Sequence, residues 1–154
     1  MPKVSQQYIV PHTRAQMYCL VNQVDQYPQF IPWCQQTNVL YQDDNVMVAS
    51  LTFDFQGITQ SFTTRNTLKA PSQIVIELVK GPFKDLAGTW QFESVMAGEK
   101  EHCRVSLNMD YTFGNGLIAM AFEPAFAKLS SLLIQSFKAQ AAKIYDWSAD
   151  GRSG

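Results

Sequence analysis

The chain has 154 residues, of which 46% are hydrophobic and 16% are charged. This length and composition predict one folded domain that is large enough to bury a sizeable core. The 12 Lys and Arg residues nearly balance the 13 Asp and Glu residues, giving a formal net charge of −1, which disfavours a nucleic-acid-binding domain because such domains are usually clearly basic.

The cysteines and the apolar runs indicate in which cellular compartment the protein is located. Cys19, Cys34 and Cys103 are widely spaced and include no CxxC pair, which disfavours a disulfide framework or a zinc site and favours a reducing cytoplasm. The N-terminus lacks the apolar core of a signal peptide. The longest apolar run, 117–122, is far shorter than the roughly 20 residues of a membrane span. We expect a soluble cytoplasmic protein, and contact with a membrane surface stays open.

The N-terminal part of the chain predicts a strand followed by two short helices. The apolar segment 4–10 is typical of a strand and ends at Pro11. Thr13 suits a helix N-cap, because apolar residues follow it at helical spacing. A second short helix is expected over residues 25–30, interrupted by Pro28.

From about residue 35 the apolar residues recur at every second position, which is typical of strands. The odd-numbered residues from Cys103 to Phe113 are apolar, and the residues between them are polar. This alternation predicts an antiparallel sheet with one buried face and one solvent-exposed face. After a strand that starts near residue 35, the predicted strands cover residues 46–55, 58–68, 74–79, 86–96 and 102–113.

The C-terminal part predicts one long helix. After the turn 114–116 the apolar period becomes helical, and a helix of about 30 residues is expected, interrupted or kinked near Pro124. Met120 is also expected to face inward. Residues 148–154 are expected to fray. The predicted single domain therefore covers residues 1–147. The predicted inward stripe is Ile118, Phe122, Phe126, Leu129, Leu133, Phe137, Ala141 and Ile144.

The element order predicts an α+β helix-grip fold. A single long helix can cover a seven-strand sheet only if the sheet curls around it. We therefore expect a curved antiparallel sheet of about seven strands around a long C-terminal helix, with two short helices after the first strand. Such a concave sheet readily leaves a cavity between itself and the helix.

Three segments make the fold assignment more specific. They are the motifs YPQFIPWC at residues 27–34, FTTRNT at 62–67 and GPFKDLAGTW at 81–90. Over nearly its whole length, the sequence resembles the coenzyme Q-binding START-domain family (polyketide cyclase/SRPBCC-like) and, within it, the bacterial branch called RatA. The resemblance implies a START-like fold that binds ubiquinone or a similar polyprenyl lipid and supports respiratory electron transport. The resemblance also leaves open that the protein contacts the inner membrane peripherally.

The bacterial branch is also described as a toxin-like factor that interferes with association of the ribosomal subunits. The resemblance therefore implies a second candidate partner, the large ribosomal subunit, besides a hydrophobic small molecule such as a quinone. Ribosome contact would need Lys and Arg residues gathered on one surface. Lys128, Lys138 and Lys143 on the long helix are few and separated, and ordinary solubilising charge explains them equally. Sequence-specific nucleic-acid binding is not expected.

Aromatic and aliphatic residues are the candidate ligand-binding set. Aromatic faces suit a flat quinone ring, and an apolar wall suits an isoprenoid tail. Each of these residues is also explained as an ordinary core residue. The candidates are Tyr27, Phe30, Trp33, Phe53, Phe55, Phe62, Phe83, Trp90, Phe92, Tyr111, Phe122, Phe126, Leu129 and Leu133.

Four residues leave alternatives open. Trp33 lies in a proline-containing loop, where it gates a cavity mouth, inserts into a lipid surface or plugs the end of the sheet. Pro124 marks a hinge or a simple irregularity of the helix. Arg65, whose register is ambiguous, and Asp110, which is expected to point outward, are the candidate polar contacts to a quinone carbonyl.

Catalysis gains little support from the sequence. His12 and His102 are not spaced to form a Ser/His/Asp or Cys/His set, and no HExxH, GxGxxG or P-loop motif occurs. We predict a binding protein with no catalytic residue, no metal and no cofactor apart from the bound lipid. A small cyclase on the same fold stays an alternative, and it would need an inward-facing polar pair that the sequence does not locate.

Overall fold

A computed structural model describes residues 3–146 of the chain, and this part contains one antiparallel sheet of seven strands. The strands are β1 (Lys3–Val10), β2 (Cys34–Gln42), β3 (Val46–Phe55), β4 (Ile58–Lys69), β5 (Gln73–Lys80), β6 (Phe83–Ala97) and β7 (Lys100–Phe113). Their spatial order is β1-β7-β6-β5-β4-β3-β2, so β1 and β2 form the two edges. The predicted sheet is confirmed.

Four helical segments accompany the sheet. α1 (Arg14–Asn22) and a 3-10 helix (Val24–Gln29) follow β1, while α2 (Leu117–Ala141) follows β7 and continues into a π-helical turn (Ala142–Asp146). The predicted START-like helix-grip order is thereby confirmed. The predicted frayed tail, 148–154, lies outside the described residues.

The N-cap predicted at Thr13 is present. Its hydroxyl accepts a hydrogen bond from the Gln16 amide N–H at 3.1 Å, and the Thr13 N–H donates to Gln16 Oε1 at 2.9 Å. Together these bonds form a capping box, which satisfies two amide groups that the first turn leaves unpaired. The capped helix α1 holds Met17, Leu20 and Val21 in the core.

The core lies between α2 and the concave face of the sheet. On β7 the residues Cys103, Val105 and Leu107 are buried, as the alternation predicts. Against them pack the buried residues of α2, spaced three to five positions apart: Phe122, Phe126, Leu129, Ile134, Phe137 and Ala141. Helix α2 thus packs against the concave face of the sheet along most of its length.

Two expectations about α2 were wrong, and a third was wrong in part. The helix runs unbroken through Pro124, so the predicted interruption does not occur there, and the kink stays a prediction. Met120, predicted to face inward, is 66% exposed, because it lies two residues, or about 200° around the helix axis, from the buried Phe122. Ile144 is 37% exposed, because it lies in the π-helical turn, whose wider winding shifts the phase of the stripe. The prediction that Ile118 faces inward concerns a side chain that the structure does not describe.

Candidate functional site

A cavity of about 100 Å³ lies between α2 and the concave face of the sheet. Its walls come from α2, from the strands β3 to β7, and from the segment that runs from α1 through the 3-10 helix to Ile31. Among the candidate ligand-binding residues, those that line this cavity are Tyr27, Phe53, Phe62, Trp90, Phe126, Leu129 and Leu133.

The other candidate residues belong to the core around the cavity or to the surface. Phe30 packs on Tyr27 and Phe137, and Phe92 packs on Trp90. The candidates outside the lining are Phe30, Trp33, Phe55, Phe83, Phe92, Tyr111 and Phe122. The sequence could not separate these two groups, because both have the same aromatic character and the same alternation along their strands.

Several lining residues were not among the candidates. Most are aliphatic residues that the patterns gave no reason to distinguish from ordinary core residues. Two of them, Thr64 and Asn66, are polar. The lining residues missed by the sequence are Val21, Val24, Ile31, Leu51, Thr64, Asn66, Ile74, Ile76, Leu86, Met109 and Phe137.

Thr64 and Asn66 form the polar pair that the sequence did not locate. The Thr64 side chain is 5% exposed, and its hydroxyl donates to Asn66 Oδ1 at 3.0 Å. Arg65 between them is exposed, which settles its ambiguous register as outward. Asp110 also points outward, as expected, and pairs with Lys3 at 3.6 Å.

Tyr27 brings the third polar group to the lining. Its hydroxyl donates to the carbonyl oxygen of Val21, which joins the 3-10 helix to the end of α1. Burial raises the pKa of Tyr27 well above its ordinary value. The phenol therefore stays protonated, and its hydrogen bond serves the structure of the wall.

The described lining contains no carboxylate, imidazole, thiol or amine. Within residues 3–146, no group of three His, Cys, Asp or Glu side chains is placed to hold a metal ion. Burial raises the pKa of Cys34 to about 11 and that of Cys103 to about 11, so both thiols are protonated at neutral pH. His12 is buried and lies 5.7 Å from the Tyr145 ring.

Exposed apolar side chains lie on the β3–β4 hairpin, at Trp33 and in the first turn of α2. We call this surface the apolar end and define it as Trp33, Ile58, Leu117 and Met120, which are 38, 36, 84 and 66% exposed. Phe55 connects them, since it pairs with Ile58 and its ring lies 5.2 Å from that of Trp33 and 4.9 Å from that of Phe122 on α2.

The backbone of Trp33 is strained. Its φ is +62°, in the left-handed region that costs a bulky residue free energy. The Trp33 carbonyl accepts the Asp54 N–H at 3.0 Å, and its ring lies against Phe55. Trp33 therefore covers the aromatic core at the apolar end while a large part of its ring faces solvent.

The lysines of the α2 region do not form one row. Lys128, Lys138 and Lys143 are all exposed, but the helical rotation of about 100° per residue spreads them around the helix axis. Lys138 also lies over the Tyr8 ring, 5.5 Å from its centroid. In the described part of the chain, no helix is long and apolar enough to span a membrane.

Comparison with known sequences matches the chain to a family and to several relatives. Residues 10–138 match the family described as "Polyketide cyclase / dehydrase and lipid transport". The chain is 39% identical over 145 residues to the "Ribosome association toxin RatA" of Escherichia coli K12, covering 94% of this chain and 90% of that protein. It is 24% identical over 131 residues to the "Coenzyme Q-binding protein COQ10 homolog B, mitochondrial" of Xenopus laevis, covering 84% and 54%.

Comparison with solved structures supports the architecture. The Zhui aromatase/cyclase from Streptomyces sp. R1128 superposes with a TM-score of 0.76, covering 91% of this chain and 93% of that one. The sequence identity between them is 15%. At that identity the likeness extends to the fold and not to the chemistry of the site.

Proposed function

The chain belongs to the polyketide cyclase, dehydrase and lipid-transport family, and from this membership we propose that it binds an apolar lipid in the cavity between α2 and the sheet. The lipid of this proposal is ubiquinone or a related polyprenyl quinone, carried or protected in support of respiratory electron transport. The lining carries the proposal, because it is apolar except for Thr64, Asn66 and Tyr27. Burial in such a wall stabilises an isoprenoid tail by about 25 cal/mol per Å².

The polar groups of the lining favour binding over catalysis. An amide and an aliphatic hydroxyl do not titrate near neutral pH, and the Tyr27 phenol already donates to a backbone carbonyl. None of them is suited to act as a general acid or base. The fold is shared with an aromatase/cyclase, but for this chain we propose binding and release without a chemical step.

The cavity has to widen around a polyprenyl quinone. Its volume of about 100 Å³ lies below the roughly 300–1,000 Å³ of pockets that hold drug-sized ligands. From Trp33, the rings of Phe55, Phe53 and Phe62 follow one another at centroid distances of 5.2, 6.1 and 5.7 Å, and the last two line the cavity. We infer that the ligand enters along this row from the apolar end.

The same end suits transient contact with a membrane surface. Exposed apolar side chains in a patch, rather than singly, are typical of surfaces that meet apolar partners. The proposal therefore includes a cytoplasmic location with peripheral contact at the inner membrane, where a quinone can be taken up or delivered.

The test is mass spectrometry of organic extracts of the protein, purified without detergent from a quinone-producing host. We expect one quinone per wild-type chain. Leu133→Trp should lower this quinone content about tenfold, because the larger side chain fills the cavity and a ligand then overpacks it. Leu132→Trp is the matched control, since Leu132 is also half-buried but lies outside the cavity, in a groove with Phe30 and Pro32. Wild-type protein without any lipid, or equal lipid in both variants, would overturn the proposal.

A second candidate function is contact with the large ribosomal subunit. The similarity to proteins named ribosome association toxins favours it, and Lys138 and Lys143, which are exposed but spread around the helix axis, are the positive charges that it would use. We expect the wild-type chain to reduce subunit association in sucrose gradients, and the double variant Lys138→Glu and Lys143→Glu to lose this effect. Leu133→Trp should keep it. If the charge reversals change nothing while Leu133→Trp abolishes the effect, the surface candidate fails.

A further inference from the structure

In the polar pair Thr64 and Asn66, the amide oxygen of Asn66 accepts a hydrogen bond, whereas its amide nitrogen has donors without a partner among the described residues. Because the Thr64 hydroxyl donates to Asn66 Oδ1 at 3.0 Å, the amide oxygen already accepts one hydrogen bond and the orientation of the amide is favoured with its nitrogen away from Thr64. In residues 3–146 the Asn66 Nδ2 group has no hydrogen-bond partner. An amide nitrogen carries two N–H donors and no acceptor, so Asn66 offers donors to the cavity.

The pair is held in place by the sheet. Thr64 and Asn66 are two residues apart on β4, so alternation puts both on the concave face together with Phe62 and Leu68. Thr64 pairs with Ala49 on β3 and Leu78 on β5, and Asn66 pairs with Met47 and Ile76. Paired on both sides, this segment positions the donors more rigidly than a loop would.

The remaining lining defines which ligand atom fits these donors. Apart from Tyr27, whose hydroxyl is engaged, the other lining residues are apolar. A carbonyl oxygen satisfies the Nδ2 donors and brings no donor of its own, so it leaves no unpaired polar group in the apolar cavity. A head group without an acceptor leaves the amide unpaired when the ligand displaces water.

We propose that Asn66 Nδ2 donates a hydrogen bond to a carbonyl oxygen of the ligand, and that this bond selects lipids whose head group carries a ketone or quinone carbonyl. Thr64 acts as the positioning residue, because its hydroxyl holds the amide with the nitrogen free. This assignment rests on the proposed lipid-binding function and names the chemical group that the cavity recognises.

The position of the pair also gives the direction in which the ligand binds. Asn66 lies eight residues along β4 from Ile58 of the apolar end, a distance of roughly 26 Å along an extended strand. A ligand that enters at the apolar end therefore places its carbonyl head group at the far end of the cavity, beside Asn66. Its tail runs back past Phe62 and Phe126 toward the surface.

The experiment compares two probes that differ in the carbonyl groups. One is decylubiquinone, and the other is the dimethoxy-methyl-decylbenzene that keeps the ring, the methoxy groups and the tail but lacks both quinone carbonyls. Binding is followed by quenching of tryptophan fluorescence, since Trp90 lines the cavity. We expect wild-type protein to bind the quinone about tenfold more tightly, the effect of one buried hydrogen bond.

Three variants locate the origin of that preference. Asn66→Leu should bind both probes equally, and Thr64→Val should lose part of the preference because the amide is free to turn. Asn108→Leu, on the outward face of β7 where Asn108 accepts from the Ser5 hydroxyl, should keep the wild-type preference. If Asn66→Leu does not fold, Asn66→Asp replaces it, since the carboxylate still accepts from Thr64 but cannot donate.

The outcomes separate this inference from the function on which it rests. Wild-type protein that binds neither probe contradicts the lipid-binding function itself. Wild-type protein that binds both probes equally leaves that function intact and overturns the role of the carbonyl. A preference that persists in Asn66→Leu or Asn66→Asp also overturns the assignment, because the donor would then lie elsewhere.

Discussion

The two ends of the cavity are built differently. At the other end, which we call the closed end, the segment from α1 through the 3-10 helix covers the cavity with Val21, Val24 and Tyr27, and Phe137 of α2 packs against Tyr27. The apolar end has no such cover, and its four side chains are exposed. The closed end is therefore covered by structured chain, while the apolar end leaves a place for ligand access.

The hydrogen bonds that hold the helix ends also differ between the closed end and the apolar end. Helix α1 at the closed end begins with the capping box of Thr13, and the Tyr27 hydroxyl ties the 3-10 helix to Val21. Helix α2 begins at the apolar end after Gly116, which provides no side-chain cap. Because uncapped helix ends and strained residues such as Trp33 open at low free-energy cost, we expect motion at the apolar end first.

The largest expected effects come from removing one buried phenylalanine of α2 at each end. Phe137 is 1% exposed, with the rings of Tyr27, Phe30 and Trp90 each 5.3 Å from its own. Phe137→Ala should lower the free energy of unfolding by about 3–5 kcal/mol, because it enlarges a cavity whose walls are fixed. The measurement is urea denaturation followed by circular dichroism.

Phe122→Ala is the matched substitution at the other end. Phe122 is 0% exposed and contacts Phe55 and Phe113, so burial alone predicts an equal loss. We expect a smaller loss, near the lower limit of about 3 kcal/mol, because loosely held neighbours at the apolar end can collapse into the space. Equal losses for the two variants would show that both ends are equally rigid and would remove the reason to place ligand access at the apolar end.

The fold could be predicted because its elements have unambiguous periods. The alternation from Cys103 to Phe113 and the helical stripe after Gly116 each fix one buried face, and one helix facing seven strands forces the sheet to curve. Thr13 could be predicted as a cap because its side chain acts within four residues of sequence. These features depend on local chemistry, which a single sequence contains.

The site could be predicted only in part, because it depends on curvature and on register. Segment 61–67 is rich in Thr and lacks apolar alternation, so the inward positions of Thr64 and Asn66 and the outward position of Arg65 could not be read from it. A register shift between β4 and β5 at Thr63 adds to this ambiguity. Gly81 permits the close approach beside it, since a Cβ there would lie 2.5 Å from the Phe62 Cβ. The sequence around Gly81 contains no pattern that predicts its close approach to Phe62.

The smallest expected effect on stability, and the sharpest test of the apolar end, is at Trp33. Replacing it by Gly removes the ring contact with Phe55, worth about 0.5–1.5 kcal/mol in addition to the apolar area that the ring buries. The substitution also relieves the left-handed strain at φ +62°, worth about 1–2 kcal/mol. Both Trp33→Gly and Trp33→Ala lose the ring, but only Gly relieves the strain, so Trp33→Ala should be less stable than Trp33→Gly by about 1–2 kcal/mol in urea denaturation.

The same two variants distinguish a gate from a plug. If the Trp33 ring gates ligand access, both variants should bind decylubiquinone with a higher association rate constant in stopped-flow fluorescence, with Trp90 as the reporter. If the ring only plugs the end of the sheet, the association rate constant should match that of the wild-type protein although the stabilities differ as stated. Because Gly and Ala differ in backbone strain but not in the loss of the ring, a rate that changes in only one of them would assign the effect to the backbone of residue 33 and not to its indole ring.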